Sequence, residues 1–470
     1  MKTEADVGQV PRPARWRRRW PAEPEIGEAS VQRAALQSLS PVLYTARMFG
    51  LAAFRLLAPS ALREAAVAPS PVWAAYSAVA ALAALVAIGA LVAVMVSANE
   101  SHTREDGAVE LPYAVLAGTF ALKQTAAVLS TVVAIVKGVD TAAALEKLVR
   151  VASRAGVGSC QGAASPAATR IRARIRAVRR ASLVQTALLL GAWPALVLAV
   201  TALGRTAAAW DVVSFPPLFL VNVLFTDVAL LLHAELEALN DSLEARFQPK
   251  GPGVCGGRQD GGRGGALKVS LQQTRVSCLE VKAKSRAADS ASATPHVLAA
   301  RDLQRELRRT FQQLDEVFGL QTLLFLSVAF VQTTVMLYMM FVEGVLNPVA
   351  SIDFVVILVQ LYATLAVCQN VKDESRRTAV VVHRCLLSPD LDLHAGTRAA
   401  LVGFSVQLLS SEMAFSACGF FDLDLALLQS FVGTVVTYIV IMVQFRGPSS
   451  RTSAEKRAAA RTAMRAGAGT

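Results

Sequence analysis

The stretch Leu423–Phe445, LDLALLQSFVGTVVTYIVIMVQF, is apolar around most of a helix and carries one narrow polar stripe. Ser430, Thr434, Thr437, Ile441 and Gln444 recur at steps of four, three, four and three residues. At about 100° per residue they fall within an arc of about 80°. Val432, Val435, Val436, Ile439, Val440, Met442 and Val443 cover the rest. A membrane helix gains nothing by turning polar groups toward lipid, so the stripe is expected to face protein or water. Several copies around one axis would enclose a wet pore with a single hydrophobic ring at Ile441, which suggests an ion channel. The plainer alternative is that Thr and Gln only join neighbouring helices by hydrogen bonds.

Composition agrees with a membrane setting. The chain has 470 residues, 54% of them hydrophobic, and a mean hydropathy of +0.44. About 20 apolar helical residues cross a bilayer, and seven such spans are expected: Val72–Ser97, Leu111–Val136, Ala181–Leu203, Trp210–Leu232, Gly319–Val342, Val349–Val371 and Leu423–Phe445. The fold class is therefore all-α, a polytopic membrane protein. Trp193-Pro194 and Pro216-Pro217 interrupt the third and fourth spans, which is tolerated where neighbours cover the freed backbone. The first 30 residues are polar, so no cleaved signal peptide is expected. No internal repeat is evident, against transporter folds built from inverted halves.

Loop charge sets the threading. The segment up to Pro71 holds ten Lys/Arg, 137–180 another ten, 233–318 thirteen and 372–412 five. The alternate loops hold Arg104, Arg205 and none. The N-terminus is thus expected inside and the tail 446–470 outside, although that tail carries six Lys/Arg. This orientation is the reverse of a G-protein-coupled receptor. The alternating run Arg170, Arg172, Arg174, Arg176 reads as stop-transfer and anionic-lipid contact; no nucleic-acid partner is expected. None of the six cysteines falls in an outer loop, so no structural disulfide is expected.

Between the spans, 1–35 is expected to be a disordered cytoplasmic N-terminus, with membrane helices one to four filling 36–232. Residues 233–318 form cytoplasmic helical extensions around an insert, 248–294, whose glycines and charges suit disorder. Helices five and six occupy 319–371. The seventh helix is split: Leu401, Phe404, Leu408 and Met413 mark an amphipathic cytoplasmic piece over 395–418, and Asp422 looks like the cap of the spanning piece, 422–445.

Thr437-Tyr438, five apolar residues, then Gln444-Phe445 is the Thr-Tyr-x5-Gln-Phe signature of insect gustatory receptors, which the chain resembles from Leu36 to Phe445. Phe415–Asp424, Leu427-Leu428, Gly433 and Leu39-Ser40-Pro41 follow the same pattern. The resemblance implies a tetrameric ligand-gated cation channel in the plasma membrane, homomeric or mixed with related receptors. It also implies that the split seventh helix lines the pore, with Ile441 as gate and Gln444 near the outer mouth. The sugar-receptor branch tends to Glu where Ile439 stands, which favours a bitter or plant-derived tastant.

Ligand contacts are sought in the outer halves of spans two to six, at Tyr113, Phe120, Trp193, Phe219, Gln332, Thr333, Tyr338 and Phe354, since a pocket needs apolar walls with a few polar groups. Aromatics at such depths also serve as ordinary packing. Lys123, a charge near mid-membrane, either pairs with Asp227 or lines a wet cavity. Tyr438 lies off the stripe and reads as a packing or interface residue. No phosphate loop, nucleophile elbow or metal-ligand cluster is evident, so neither an enzyme nor a cofactor is expected. Permeant cations, a small-molecule tastant and lipid are the expected partners. An odorant-type subunit of the same superfamily is the nearest alternative, ahead of a G-protein-coupled receptor or transporter.

Overall fold

Long apolar runs with few interior glycines or prolines propagate as long helices, and ten helical segments account for almost all of the described chain. The computed structural model describes residues 26–52, 54–57, 66–79, 111–157, 173–187, 215–247, 268–341, 348–388, 394–409 and 412–445, with isolated positions at 82, 85, 86, 89, 190, 191 and 198. In chain order these form α1 (Ile26–Met48), β1 (Phe54–Leu57), β2 (Ala66–Pro69), α2 (71–79), α3 (Leu111–Val136), α4 (Gly138–Val157) and α5 (173–187). There follow α6 (Phe215–Phe247), α7 (Lys268–Phe341), α8 (Pro348–Leu387), α9 (Ala395–Leu409) and α10 (Leu425–Phe445). Among the described residues, the strands form a two-stranded antiparallel hairpin, in which Phe54 pairs with Pro69 and Leu57 with Ala66. It rests against α4.

α6 is the hub. It packs on α7 and α8 and touches α1, α3 and α4, burying Leu220, Leu231, Leu232 and Leu236 completely. A helix apolar on all sides is expected at the centre, and 83% of the most apolar window of α6 is buried. The same measure for α10 is 6%. Among the described residues α10 therefore lies at the margin of the bundle, packing mainly on parts of α7 and α8.

Among the described residues, four helices are long and apolar enough to cross a membrane, within α6, α7, α8 and α10. A fifth is added if Ala121–Val136 and Gly138–Val151, bent by 66°, count as one span. The expected spans Val72–Ser97 and Ala181–Leu203 fall largely outside the described residues.

Several boundaries differ from the sequence expectation, each for a local reason. α6 begins at Phe215, with Pro216 and Pro217 in its first turn; there a missing N–H forfeits no helical bond, so the prolines start the helix and do not break it. α7 reaches back to Lys268, into the stretch 248–294 expected to be disordered. All eight glycines of that stretch lie between Gly251 and Gly265, and none between 266 and 294 interrupts the helix. α4 was expected to be loop; Ala142, Leu145, Leu148 and Val149 form its buried stripe. α9 ends at Leu409 and does not continue to Cys418, because the chain from 412 turns back on itself through a bridge between Ser416 and Asp422.

Candidate pore helix and ligand cavity

The linker 412–424 decides where α10 starts. Asp315 of α7 accepts the Ser416 backbone N–H (2.8 Å) and the Ser416 hydroxyl (3.0 Å). Phe415 enters an aromatic cluster, 4.6 Å from Phe311 and 5.1 Å from Phe225 between ring centroids. The chain then reverses through Cys418 (φ 54°) and Gly419 (φ 76°), both left-handed. Such a backbone strains Cys418 but not the glycine. Gly319 of α7 makes the approach possible: a Cβ there would sit 3.2 Å from the Cys418 backbone nitrogen. Lys372 of α8 donates to Asp422 (3.4 Å) and Asp424 (3.1 Å).

Asp424, not Asp422, caps α10. Its Oδ1 accepts the Leu427 N–H at 3.1 Å, as an N-cap side chain should. Asp422 is committed instead to the bridge with Ser416. Burial pushes the Asp424 carboxyl up, but Lys372 and the N–H groups of Leu427 and Ala426 together hold it below the usual carboxylate range.

α10 has two distinct faces. On one, Val435 is buried and Leu427, Leu428, Phe431, Ile439 and Met442 are half-buried. Phe330 of α7 meets Phe431 and Tyr438 edge-on, each at 5.6 Å. Tyr438 makes that one ring contact and is otherwise half exposed. Ser430, Thr434, Thr437 and Gln444 are exposed and Ile441 is 38% exposed. Counting from Val435 at about 100° per residue, the stripe is centred about 140° away. Its hydroxyls donate to carbonyls one turn back: Ser430 to Ala426 (3.3 Å), Thr434 to Ser430 (2.8 Å) and Thr437 to Gly433 (2.9 Å). The stripe therefore hydrogen-bonds no other helix of its subunit through those hydroxyls, and its outer surface stays open. The side chain of Phe445 lies outside the description.

Of the residues expected at a ligand site, the structure brings two together. Lys123 of α3 and Phe219 of α6 line a cavity with Leu218, Phe325, Val328, Ala329 and Ile357. Its volume is about 10 Å³, room for about one water. Gln332, Thr333 and Tyr338 are buried on α7 and Phe354 is half-buried on α8, outside this lining. Gln332 lies one turn beyond Val328 and Ala329, and Phe120 one turn before Lys123. The side chains of Tyr113 and Phe120, and all of Trp193, fall outside the description. No hydrogen bond joins Lys123 to Asp227, whose buried carboxyl faces the Ser182 hydroxyl of α5.

One feature escaped the sequence reading. Asn222 donates to Thr364 (2.8 Å), Thr364 and Thr226 hydroxyls lie 3.2 Å apart, and Gln360 donates to Thr226 (3.3 Å). This buried network joins α6 and α8 one turn from Phe219 and Ile357. Its only sequence signal is polar residues spaced four apart in two otherwise apolar helices.

Comparison with known proteins agrees with this architecture. The profile described as "7tm Chemosensory receptor" matches residues 39–446. "Putative gustatory receptor 2a" of Drosophila melanogaster is 26% identical over 213 residues, 38% of this chain and 49% of the relative. "Gustatory receptor for bitter taste 66a" of the same organism is 25% identical over 144 residues, 28% of this chain and 27% of the relative. The matched region thus spans about half and about a quarter of those two proteins. The olfactory receptor OR5 from Machilis hrabei, solved in complex with eugenol, superposes with a TM-score of 0.60 at 12% identity, covering 86% of this chain and 97% of OR5. A second structure of OR5 gives 0.58. At that identity the likeness speaks for the fold alone. With a family profile spanning most of its length, the chain belongs to the 7tm chemosensory receptor family.

Proposed function

We propose that this protein is a gustatory receptor that acts as a ligand-gated, non-selective cation channel in the plasma membrane of taste neurons, opened by a bitter or plant-derived tastant. One observation carries the reading: the polar stripe of α10 faces away from the subunit that holds the helix. In a homotetramer, or a heteromer with related receptors, four such stripes around an axis make a wet path narrowed at Ile441. A ring of four isoleucines excludes water and with it ions; outward movement of the helices wets the ring. Ser430, Thr434, Thr437 and Gln444 then face the partly hydrated cations. The tastant needs only to bind the open arrangement more tightly than the closed one.

The threading fits an N-terminus inside, the linker 412–424 at the inner membrane face and Gln444 toward the outer mouth. The seven-span, N-inside plan comes from loop charge. The bitter assignment draws on Ile439 and on the name of the second Drosophila relative. Whole-cell recording from cells expressing the chain, challenged with a panel of plant compounds while G-protein signalling is blocked, tests the reading. Agonist-evoked cation current of single-channel size is expected. Responses that disappear with G-protein blockade would refute it.

A further inference from the structure

We infer that Lys372 is the positioning residue of the pore helix: its one ammonium group holds the start of α10 against α8 in the resting arrangement, and loss of that tie lets the helix leave it. The inference rests on the channel reading above. Apolar packing holds α10 only weakly, since 6% of its most apolar window is buried. Lys372 donates to Asp424 (3.1 Å) and to Asp422 (3.4 Å), and its side chain is 11% exposed against 20% and 57% for the two aspartates. An ammonium group with three hydrogens to donate can serve both carboxylates at once. Shielded from water on the lysine side, these charge-assisted bonds hold more firmly than a pair on the open surface.

The geometry separates holding the helix from starting it. Oδ1 of Asp424 accepts the Leu427 N–H, while Oδ2 accepts from Lys372. Removing the lysine therefore breaks the tie to α8 and leaves the cap in place. The turn before α10 is closed on itself: the Leu423 N–H donates to the Phe415 carbonyl (2.8 Å) and the Ala417 N–H to that of Phe421 (3.1 Å). Asp315 of α7 fastens its near end through Ser416. α7 thus carries the turn, and α8 steadies it through Lys372. The cavity bordered by Lys123 and Phe219 has room for about one water, so the tie belongs to an arrangement without tastant. Charge gives the direction of release. Asp422 and Asp315 act on each other as like charges, and Lys372 is the cation set against Asp422 and Asp424. Arg376, one turn further along α8, is engaged with Glu412. Without the ammonium group, repulsion among the aspartates loosens the turn. A tie made in one arrangement only shifts the balance toward the other when it is removed.

Two readings on the full chain test this. In nanodiscs, hydrogen exchange followed by mass spectrometry should show the amides of 415–423 exchanging about tenfold faster or more in Lys372→Met, with those of 428–445 as in wild type. In whole-cell recording without agonist, the same variant should pass about threefold or more basal cation current, while Lys372→Arg, which keeps the charge, stays close to wild type in both readings. Gel filtration screens the variants for folding, and Lys372→Gln replaces Lys372→Met if the latter fails to fold. Unchanged exchange over 415–423 would overturn the tie. Faster exchange with a basal current equal to wild type, while Ile441→Ala raises it, would overturn the role in gating. Protection lost through 428–445 as well would make Lys372 a residue of α10 folding and overturn the inference too. No current from any variant, Ile441→Ala included, would refute the channel reading, and the exchange result then decides the tie by itself.

Discussion

Ile441 is the one aliphatic side chain on the polar stripe, and its role separates a pore from a packing seam. Truncation to Ala removes the widest part of the collar and should raise the basal cation current several-fold without agonist, measured by whole-cell recording; unchanged current would remove Ile441 from the gate. Asp424 makes a second prediction at this scale. Its folded pKa is held down, so its contribution to the start of α10 is complete above the ordinary carboxylate pKa and is lost as pH falls through the lower, folded value. Thermal stability in nanodiscs should thus be flat in this respect from pH 8 to pH 5 and drop at stronger acidity. Asp424→Ala should cost about 1 kcal/mol at neutral pH, the usual worth of a cap, and flatten the acid drop. An unchanged acid profile in that variant would assign the drop to other groups. The stripe was legible residue by residue, because helical period and polarity are properties of one segment. The cap was misread by two residues, because what engages Asp422 is a bridge to Ser416 that no local pattern announces.

Among the elements, α10 and its linker show how a peripheral helix is tied to the bundle. The linker is fastened to α7 through Asp315 and Phe415 and to α8 through Lys372. Together with the direct ring contacts of Phe330 on Phe431 and Tyr438, these are contacts through which displacement of α7 or α8 would reach α10. Gly319→Ala presses a methyl group against the Cys418 backbone at 3.2 Å. The linker must give by a few tenths of an ångström, at a cost of about 1–3 kcal/mol. A lowered melting temperature with a shifted agonist dose–response is expected; a melting temperature equal to wild type would show that the linker is free to move there. This contact is invisible in the sequence, since a glycine inside an apolar span carries no record of what comes close to it. α4 was missed for a related reason: its stripe is buried by α1 and α7, elements distant in the chain. The lower ends of α6 and α7, by contrast, were readable as helical continuations of their spans.

For the molecule as a whole, α6 is enclosed by its neighbours while α10 is left largely uncovered. The threading makes a prediction that does not depend on the pore. Asn240-Asp241-Ser242 forms a glycosylation acceptor sequence, yet Asn240 is fully buried and donates to Glu374 at 2.9 Å. Expression in insect cells followed by glycosidase treatment should show no glycan at Asn240. A glycan there would place the end of α6 on the outer side and reverse the orientation. The lateral assembly of helices was only partly legible: loop charge and span length speak for each segment's place in the membrane. The meeting of Lys123 with Phe219, and of Asn222 with Thr364, depends on rotations of helices about their axes that hydropathy does not fix.

The most direct test of the pore uses single cysteines in a background where Cys418, exposed and left-handed, is replaced by Gly. Thr437→Cys and Gln444→Cys are compared with Val435→Cys on the packed face, using a membrane-impermeant charged thiol reagent from outside. In closed channels Gln444→Cys should react and Thr437→Cys should not; with Ile441→Ala both should react and alter the current, while Val435→Cys stays silent throughout. Thr437→Cys and Gln444→Cys remaining protected in both backgrounds would contradict an aqueous path along the stripe.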